Sequence, residues 1–212
     1  MIGIHNYSIR GNKEVNEDDV KIAVIDDDHS IVAVADGMGG LECGDVASKI
    51  VCNSLVGYIR EHFSGQTVEQ LMTDAFDFAD QKLSREMDIM HTNMGTAALL
   101  AIITPKLLYF SWLGNVRLYH EHNGILSQLS SDHLVDTGYG DKRLTRCVKG
   151  KGLRKPLPYK ECKIYPGDRL YICTDGFYMQ YASLMDSREI SLETFGSLVK
   201  PEDDATIVTI QI

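Results

Sequence analysis

The chain has 212 residues, of which 44% are hydrophobic and 24% are charged. This composition is typical of a soluble globular protein and excludes a disordered chain, because that much apolar side chain can form a core. The 30 acidic residues outnumber the 21 basic ones, which gives a formal net charge of −9. An acidic chain of this kind is a poor partner for nucleic acid or for an anionic membrane, since both select a basic surface.

Several common classes of site are excluded by short motifs. The five cysteines are never closer than nine positions, so the chain has no CxxC pair for zinc or redox chemistry. It also lacks the GxSxG, HExxH and GxxxxGK[ST] motifs of serine hydrolases, zinc proteases and P-loop proteins. No apolar run reaches the roughly 20 residues of a membrane span, and the first residues do not resemble a signal peptide. We therefore expect free thiols and a cytoplasmic location.

The predicted elements begin with a strand pair at 21–25 and 30–35, where β-branched residues flank a polar turn. A helix is predicted over 44–63, because apolar residues recur there at 3- and 4-residue spacing. A second helix begins after Thr67, which we expect to form a capping box with Gln70.

The chain then returns to strands after these two helices. Four runs separated by short turns are interpreted as one antiparallel meander, at 96–103, 107–113, 116–121 and 125–129. His120 and His122 alternate within this region and are interpreted as surface residues. Further strands are predicted at 161–165, 169–174 and 205–212. This order of elements predicts an α+β sandwich rather than a parallel βαβ fold.

Residues 130–158 interrupt the strand pattern with glycines and a cluster of basic side chains. We interpret them as a mobile surface segment in an otherwise acidic chain. A basic loop could meet phosphorylated or acidic partners, and an ordinary solvated loop is the alternative interpretation.

Three acidic residues share one position relative to apolar strands: Asp36 and Asp175 each end a strand, and Asp203 precedes the last one. A strand holds its terminal residues rigidly, and a cation between several carboxylates removes their mutual repulsion. Hard cations such as Mg²⁺ and Mn²⁺ prefer such oxygen ligands. Glu17 and Asp18, before the first predicted strand, extend the acidic set. A second interpretation stays open, since Asp and Gly also mark ordinary turns.

Eight short motifs follow one another along the chain. They are NED at 16–18, AVADGMGG at 33–40, MGTAALLAII at 94–103, LGNVRLYHEHNG at 113–124, LSSDH at 129–133, RLTR at 143–146, PGDRLYICTDGF at 166–177 and EDDATIVTI at 202–210. In this order they resemble the metal-dependent serine/threonine protein phosphatases, the PPM family. Each motif alone is weak, whereas the set in register over almost the whole chain is specific. The chain resembles a small bacterial-type member with a single phosphatase domain over 1–212.

The resemblance implies an α+β fold in which an antiparallel β-sandwich is flanked by helices on both faces, as four αββα layers. It also implies a site for two Mn²⁺ or Mg²⁺ ions at one edge of the sandwich. The carboxylate of Asp36 would bridge both ions, and the carbonyl of Gly37 would bind one of them. Asp175 and Asp203 would complete the second position.

Two further carboxylates, those of Glu17 and Asp18, would hold metal-bound waters. Two ions roughly 3.5–4 Å apart lower the pKa of a bridging water and offset charge on phosphoryl oxygens. The resemblance therefore implies in-line attack on phosphorus by hydroxide without a phosphoenzyme. Asp36 and Asp175 would be the catalytic carboxylates, and Lys13 would assist them.

The sequence departs from the family pattern at two positions. Lys13 stands where many members carry the Arg that binds the substrate phosphate, and Lys neutralises phosphate without a bidentate fork. An ordinary exposed lysine is the alternative interpretation. Asn115 replaces an Asp that helps to hold a third, weaker ion, which predicts a weak or absent third site. Asp203 is chosen over Asp204 as the ligand because the family pattern Asp-Asn-x-Thr aligns with 203–206.

The leading functional hypothesis is a Mn²⁺- or Mg²⁺-dependent phosphatase for phosphoserine and phosphothreonine in proteins. Its expected partners are phosphoprotein substrates, namely a Ser/Thr kinase or its targets, and it is expected to be a monomer. A second hypothesis is a non-catalytic or weakly active regulatory or binding module of the same fold, which Lys13 and Asn115 favour. A third is a phosphatase of this fold tuned to a partner-switching regulator. Metal-dependent hydrolysis of p-nitrophenyl phosphate separates the first hypothesis from the second.

Overall fold

The computed structural model describes residues 2–26, 28–38, 43–138, 142–187 and 190–212. Gly39 and Gly40 of the predicted AVADGMGG motif lie outside the described residues. The strands are β1 (Gly3–Ile9), β2 (Asp18–Asp26), β3 (His29–Gly37), β4 (Thr96–Ile103), β5 (Leu107–Leu113), β6 (Arg117–His122), β7 (Ile125–Gln128), β8 (Leu134–Asp136), β9 (Lys142–Leu144), β10 (Tyr159–Lys163), β11 (Arg169–Cys173) and β12 (Ala205–Gln211). The helices are α1 (Gly44–His62), α2 (Val68–Met90), α3 (Asp175–Gln180), α4 (Ser183–Ser187) and α5 (Leu192–Gly196).

Two antiparallel sheets of five strands form the centre of the molecule. Sheet A has the order β1-β12-β11-β6-β7, and sheet B has the order β10-β5-β4-β3-β2. Helices α1 and α2 pack on the outer face of sheet B, and residues of α3, α4 and α5 pack on the outer face of sheet A. The predicted α+β sandwich with helices on both faces is confirmed.

Strand β3 shows how the layers arise from side-chain alternation. Val32 and Val34 face sheet A, whereas Ile31 and Ala33 face the helices, and all four side chains are buried. A strand covered on both faces reads as a continuous apolar run, as this one does. Burying each large aliphatic side chain contributes about 1.5–3 kcal/mol, so the central strands form a rigid base for the residues at their ends.

The prediction of one meander over 96–129 is wrong. Strand β4 pairs with β5 in sheet B, whereas β6 pairs with β7 in sheet A. The chain crosses between the sheets at Gly114, which has a φ of +105°. A Cβ on Gly114 would lie 2.3 Å from the Cβ of Ala97, so this crossing requires glycine. Turn signals located the crossing, but they carry no information about which strands pair.

The predicted start of α2 at Thr67 is confirmed, whereas the predicted capping box with the Gln70 side chain is wrong. The backbone N–H of Gln70 donates to the Thr67 hydroxyl at 3.3 Å, so Thr67 caps the helix as expected. The Gln70 side chain donates instead to Asp74 Oδ1 at 2.7 Å, one helical turn further on. The N-cap therefore depends on Thr67 alone.

All five cysteines are free thiols, in agreement with their predicted state. Among the residues that the structure describes, no helix combines the length and the apolarity that a membrane span requires.

Residues 130–158 contain more regular structure than the sequence predicted. Strands β8 and β9 pair with each other, and Val148 forms a bridge with Thr96 at the start of β4. The buried carboxylate of Asp80 on α2 accepts hydrogen bonds from the backbone N–H groups of Lys149, Gly150 and Gly152, at 3.2, 2.7 and 2.8 Å. A single carboxylate thus fixes the basic loop against α2.

We expect Asp80→Ala to lower the free energy of unfolding by about 3 kcal/mol, because three N–H groups lose a charged acceptor. Urea denaturation measures this loss, and hydrogen exchange should increase at residues 149–152. The matched control is Asp77→Ala on the same helix, where an exposed ion pair with Lys155 at 2.7 Å is lost. That variant should lose no more than about 1 kcal/mol, and losses of equal size would contradict the prediction.

Candidate metal centre

Carboxylates from four segments meet at one end of the sandwich. Asp18 on β2 and Asp36 on β3 are directly paired across the two strands. Side chains alternate along a strand, so both carboxylates lie on the face that looks toward sheet A. From sheet A, Asp175 is the first residue of α3 after β11, and Asp203 precedes the neighbouring strand β12. The end of β11 and the start of β12 lie at the same edge because these strands are antiparallel.

Close backbone contacts fix these segments to one another. The N–H of Gly37 donates to the carbonyl of Glu17 at 3.0 Å, and a Cβ on Gly37 would lie 2.4 Å from the carbonyl oxygen of Gly44. Across the cleft, a Cβ on Gly176 would lie 2.3 Å from the carbonyl oxygen of Asp204. Both Asp-Gly pairs of the sequence therefore have a steric reason, since the backbone segments approach too closely for any side chain.

The two adjacent aspartates before β12 have different environments. Asp204 is 2% exposed, and its carboxylate accepts hydrogen bonds from the N–H groups of Gly11 at 2.7 Å and Glu17 at 2.8 Å. Its oxygens are thus committed to the backbone. The Asp203 side chain is half exposed, and its Oδ1 lies 3.0 Å from Lys13 Nζ. Lys13 Nζ is farther from Asp204, at 3.9 Å from its Oδ2, so the Asp203 carboxylate is the more exposed of the two and the closer to the ammonium.

Polar neighbours satisfy part of the carboxylate set and leave part unsatisfied. The Thr174 hydroxyl donates to Asp18 Oδ2 at 2.8 Å, and the Asn115 amide donates to Asp175 Oδ2 at 2.9 Å. Asp18 Oδ1 is buried and has no hydrogen-bond partner. A buried carboxylate oxygen without a partner costs free energy that a bound cation would offset, so the donor set fits a hard divalent ion.

The pKa shifts of the clustered carboxyls also favour a bound cation. Burial raises the pKa of the Asp36 carboxyl well above its usual range, and the charges of Asp18, Asp175 and Asp203 raise it further. Burial likewise raises the pKa of Asp18, although hydroxyl donors oppose this shift. The pKa of Asp175 is raised by burial and by the charge of Asp203, against the opposing hydrogen bond from Asn115. These carboxylates therefore repel one another when no cation lies between them.

Lys13 supplies a positive charge at the rim of this cluster. Its Nζ lies 2.6 Å from Glu17 Oε2 and 3.0 Å from Asp203 Oδ1. Burial lowers the pKa of the Lys13 amine, but the hydrogen bonds to Glu17 and Asp203 outweigh burial and leave the pKa above its ordinary value. The ammonium is therefore charged at neutral pH and interacts directly with two of the predicted metal-site residues.

The hydroxyl and amide groups that orient the clustered aspartates are not among the site residues predicted from the sequence. Thr174 was noted only as the end of a strand, although it stands immediately before Asp175. Asn115 was noted for the charge that it lacks, whereas its amide fixes the Asp175 carboxylate. The Thr96 hydroxyl donates to the carbonyl of Asp36 at 2.7 Å. The available signal was a polar residue at the end of each apolar strand, next to a predicted ligand.

We expect Asp36→Asn to stabilise the protein in EDTA at pH 7.5 by about 1–2 kcal/mol, since it removes one charge from a set of like charges. A carboxyl whose pKa is raised in the folded state binds more protons when folded than when unfolded. The stability of the parent protein therefore falls as pH rises above the unfolded pKa of about 3.9.

The stabilisation should accordingly be larger at pH 7.5 than at pH 4.5, because a larger share of the parent's buried carboxyls is protonated at the lower pH. Urea unfolding at both pH values measures the difference. Asp28→Asn, which neutralises an exposed carboxylate immediately before β3, is the control and should leave the stability nearly unchanged at both pH values. A loss of stability at pH 7.5 would show that repulsion at Asp36 is unimportant.

Comparison with known proteins places these features in a family. The sequence matches the family described as Protein phosphatase 2C over residues 7–209. The Serine/threonine phosphatase stp of Listeria monocytogenes serotype 4b (strain F2365) is 32% identical over 125 residues, which cover 56% of this chain and 49% of that protein. The matched region thus spans about half the length of this relative.

Solved structures share the fold at lower sequence identity. The catalytic domain of the serine/threonine protein phosphatase PstP, in complex with 2 manganese ions, has a TM-score of 0.79 at 22% identity and covers 99% of this chain and 97% of that one. Serine/threonine phosphatase Stp1 from Staphylococcus aureus has a TM-score of 0.80 at 19% identity, with 100% and 95% covered. The family match covers nearly all of the chain and agrees with the motifs and the sandwich, so this chain belongs to the protein phosphatase 2C family.

Proposed function

We propose that this chain hydrolyses phosphoserine and phosphothreonine in proteins at the carboxylate cluster, with two divalent ions, Mn²⁺ or Mg²⁺. The observation that carries the proposal is the convergence of Asp18, Asp36, Asp175 and Asp203 from both sheets, with one buried oxygen left unpaired. A relative that shares this family is named a serine/threonine phosphatase, and the structure of PstP is described with 2 manganese ions.

The proposed metal-site residues are those predicted from the motifs: Glu17, Asp18, Asp36, the carbonyl of Gly37, Asp175 and Asp203. Their donor atoms are all oxygen, which favours Mn²⁺ or Mg²⁺ over softer ions. When bound, two such ions supply an activated water and offset the negative charge of the phosphoryl oxygens. The protein supplies the fixed arrangement of the oxygens.

The neighbouring residues hold that arrangement. In this proposal the Thr174 hydroxyl orients Asp18, the Asn115 amide orients Asp175, and the buried carboxylate of Asp204 orients the backbone of Glu17. Each contact uses one oxygen or one backbone group and leaves another oxygen of the cluster free for a cation. Supporting hydrogen bonds of this kind reduce the reorganisation that binding requires.

A covalent route through Cys52 or Cys173 is disfavoured. Cys52 and Cys173 are fully buried, and burial raises the pKa of both thiols above the ordinary value. A thiol in that state is a poor nucleophile at neutral pH. This supports direct transfer of the phosphoryl group to water.

Asn115 supports two ions rather than three. Its side chain carries no charge, and its amide N–H₂ group is directed at the Asp175 carboxylate. An amide donor in that orientation does not offer an oxygen to a cation beside Asp175. A metal titration that found three tight sites would contradict this part of the proposal.

The proposal includes the predicted biological setting. Substrates would be phosphoproteins produced by a Ser/Thr kinase, or that kinase itself. The chain would act as a single phosphatase domain over 1–212, as a monomer in the cytoplasm.

We expect Mn²⁺-dependent hydrolysis of p-nitrophenyl phosphate and of a phosphothreonine peptide by the parent protein. Asp36→Asn and Asp175→Asn should each lower kcat/KM at least about 100-fold, because each removes a charge that holds the ions. Asp19→Asn, on the opposite face of β2, is the matched control and should stay within about twofold of the parent. Steady-state kinetics with and without Mn²⁺ measure these effects.

Two outcomes would reject the catalytic proposal. Activity that persists in Asp36→Asn and Asp175→Asn would place the chemistry elsewhere. A folded parent that binds Mn²⁺ but turns over neither substrate would favour the non-catalytic regulatory module instead.

Loss of the Lys13 side chain should weaken substrate binding and strengthen metal binding. We propose that its ammonium contacts the substrate phosphate, and it also competes with cations through its contacts with Glu17 and Asp203. Lys13→Ala should therefore raise the KM for the phosphopeptide about 10-fold and lower the Mn²⁺ concentration needed for half-maximal activity. Lys13→Arg restores the charge with a bidentate fork and should lower KM below that of the parent.

Lys21→Ala, which removes an exposed lysine from the same strand as Asp18, is the control for a general loss of positive charge. It should change neither parameter by more than about twofold. An unchanged KM in Lys13→Ala would show that the ammonium does not bind the substrate phosphate and contacts only the carboxylates of Glu17 and Asp203.

A further inference from the structure

A second group of metal-ligating side chains lies at the opposite end of the sandwich. His120 and His122 occupy alternate positions of β6, and Asp168 immediately precedes β11. Asp168 and Asp175 bracket the two ends of β11 and are 175 − 168 = 7 positions apart. At the rise of an extended strand this separation corresponds to about 20 Å. The group is therefore distinct from the carboxylate cluster.

The carboxylate of Asp168 is held in place by the backbone around it. The residue is 3% exposed. Its N–H donates to the carbonyl of Tyr165 at 3.0 Å, and its own carbonyl accepts from the N–H of Ile212 at 3.0 Å. Asp168 Oδ2 also accepts from the N–H of Tyr165 at 2.9 Å. These contacts fix the carboxylate without help from the two histidines.

Both histidine rings converge on this carboxylate. His120 Nε2 lies 2.7 Å from Asp168 Oδ2, and His122 Nδ1 lies 2.7 Å from Asp168 Oδ1. The three ligand atoms lie within 4.8 Å of one another. The side chain of His120 is 13% exposed, so the interpretation of the histidine pair as surface residues is wrong for His120. The side chain of His122 is 44% exposed and leaves the group open to solvent on one side.

We propose that His120, His122 and Asp168 bind a zinc-class divalent ion. Two imidazole nitrogens and one carboxylate oxygen form a three-ligand set that is common for Zn²⁺, with water in the remaining position. Imidazole ligands select Zn²⁺ over Mg²⁺ and Mn²⁺, so this group differs in metal preference from the all-oxygen cluster. The buried, backbone-fixed carboxylate and the two strand-borne rings provide the rigid ligand geometry that such a site needs.

Proton positions are compatible with binding. Without metal, His120 Nε2 and His122 Nδ1 carry the N–H protons that donate to Asp168. For a neutral ring to bind the ion through that nitrogen, its proton moves by exchange with solvent to the other ring nitrogen, and the hydrogen bond to Asp168 is replaced by a bond to the metal. Protons are released only from rings that are imidazolium before binding. The side-chain amide of Asn123 lies 2.9 Å from His122 Nε2, and its oxygen can accept the N–H of that ring after the amide turns over.

The site would connect three strands of sheet A. His120 and His122 belong to β6, Asp168 leads into β11, and the carbonyl of Asp168 accepts from Ile212 directly after β12. Bound zinc should therefore raise the melting temperature, because a ligand that binds only the folded state stabilises that state.

The experiment uses the full chain with Asp36→Asn and Asp175→Asn, which weaken the carboxylate cluster as a competing site. Isothermal titration with Zn²⁺ alone should show one tight site per chain. Adding His122→Ala should weaken that site at least about 100-fold, since a ligand is lost rather than an outer neighbour. His62→Ala, which removes an exposed histidine at the end of α1, is the matched control and should leave the affinity unchanged.

Two further measurements keep the outcome decisive. Bound Co²⁺ should absorb with the intensity of a four- or five-coordinate ion that has nitrogen ligands. This absorption should disappear in His122→Ala. Asp168→Asn keeps an acceptor for the N–H of Tyr165 and should also lose zinc while remaining folded by circular dichroism. The proposal is overturned if the parent binds no zinc in this background, or if folded His122→Ala and Asp168→Asn bind it as the parent does.

Discussion

Electrostatic repulsion among carboxylates at one end of the sandwich is the constraint on which the functional structure depends. Strand pairing places Asp18 directly opposite Asp36, and the antiparallel pair β11 and β12 brings Asp175 and the Asp203 segment to the same edge. The apolar layers behind these strands fix the spacing, so the carboxylates cannot move apart to relieve the repulsion. Positive charge at this edge therefore lowers the electrostatic cost of the fold, and the proposed chemistry also depends on it.

The surrounding residues satisfy some carboxylate oxygens and leave others free. Thr174 and Asn115 each donate to one oxygen of a neighbouring aspartate, and both oxygens of Asp204 accept from backbone N–H groups. Lys13 provides a single positive charge at the rim. Burial is the first cause of the raised pKa of Asp36, and one ammonium does not offset burial together with the charges of Asp18, Asp175 and Asp203. In the proposed function, divalent ions would offset the repulsion that this single ammonium leaves.

The same two sheets carry different ligand chemistry at their two ends. Strand β11 leads from Asp168 at one end to Asp175 at the other. Around Asp175 the neighbouring acids provide oxygen ligands, whereas around Asp168 the alternate positions of β6 provide imidazole nitrogens. Because ligand type governs metal preference, we propose that one scaffold carries both a hard-ion centre and a separate zinc-class site.

Most of the secondary-structure elements and the family follow from local sequence signals. The strand pairing and the contacts of the buried carboxylates do not. The apolar periodicity of α1, the Thr67 cap, the apolar run of β3 and the ordered motifs are local features, and they identified the helices, the strands, the family and the acidic residues at strand ends. The tertiary structure alone decided that the chain changes sheets at Gly114 and that Asp168 meets a histidine 48 residues away. It also decided that Asp204 is buried on backbone donors while the Asp203 side chain is half exposed. The physical reason is that strand pairing and the burial of a charge depend on groups distant in sequence, which composition and spacing do not record.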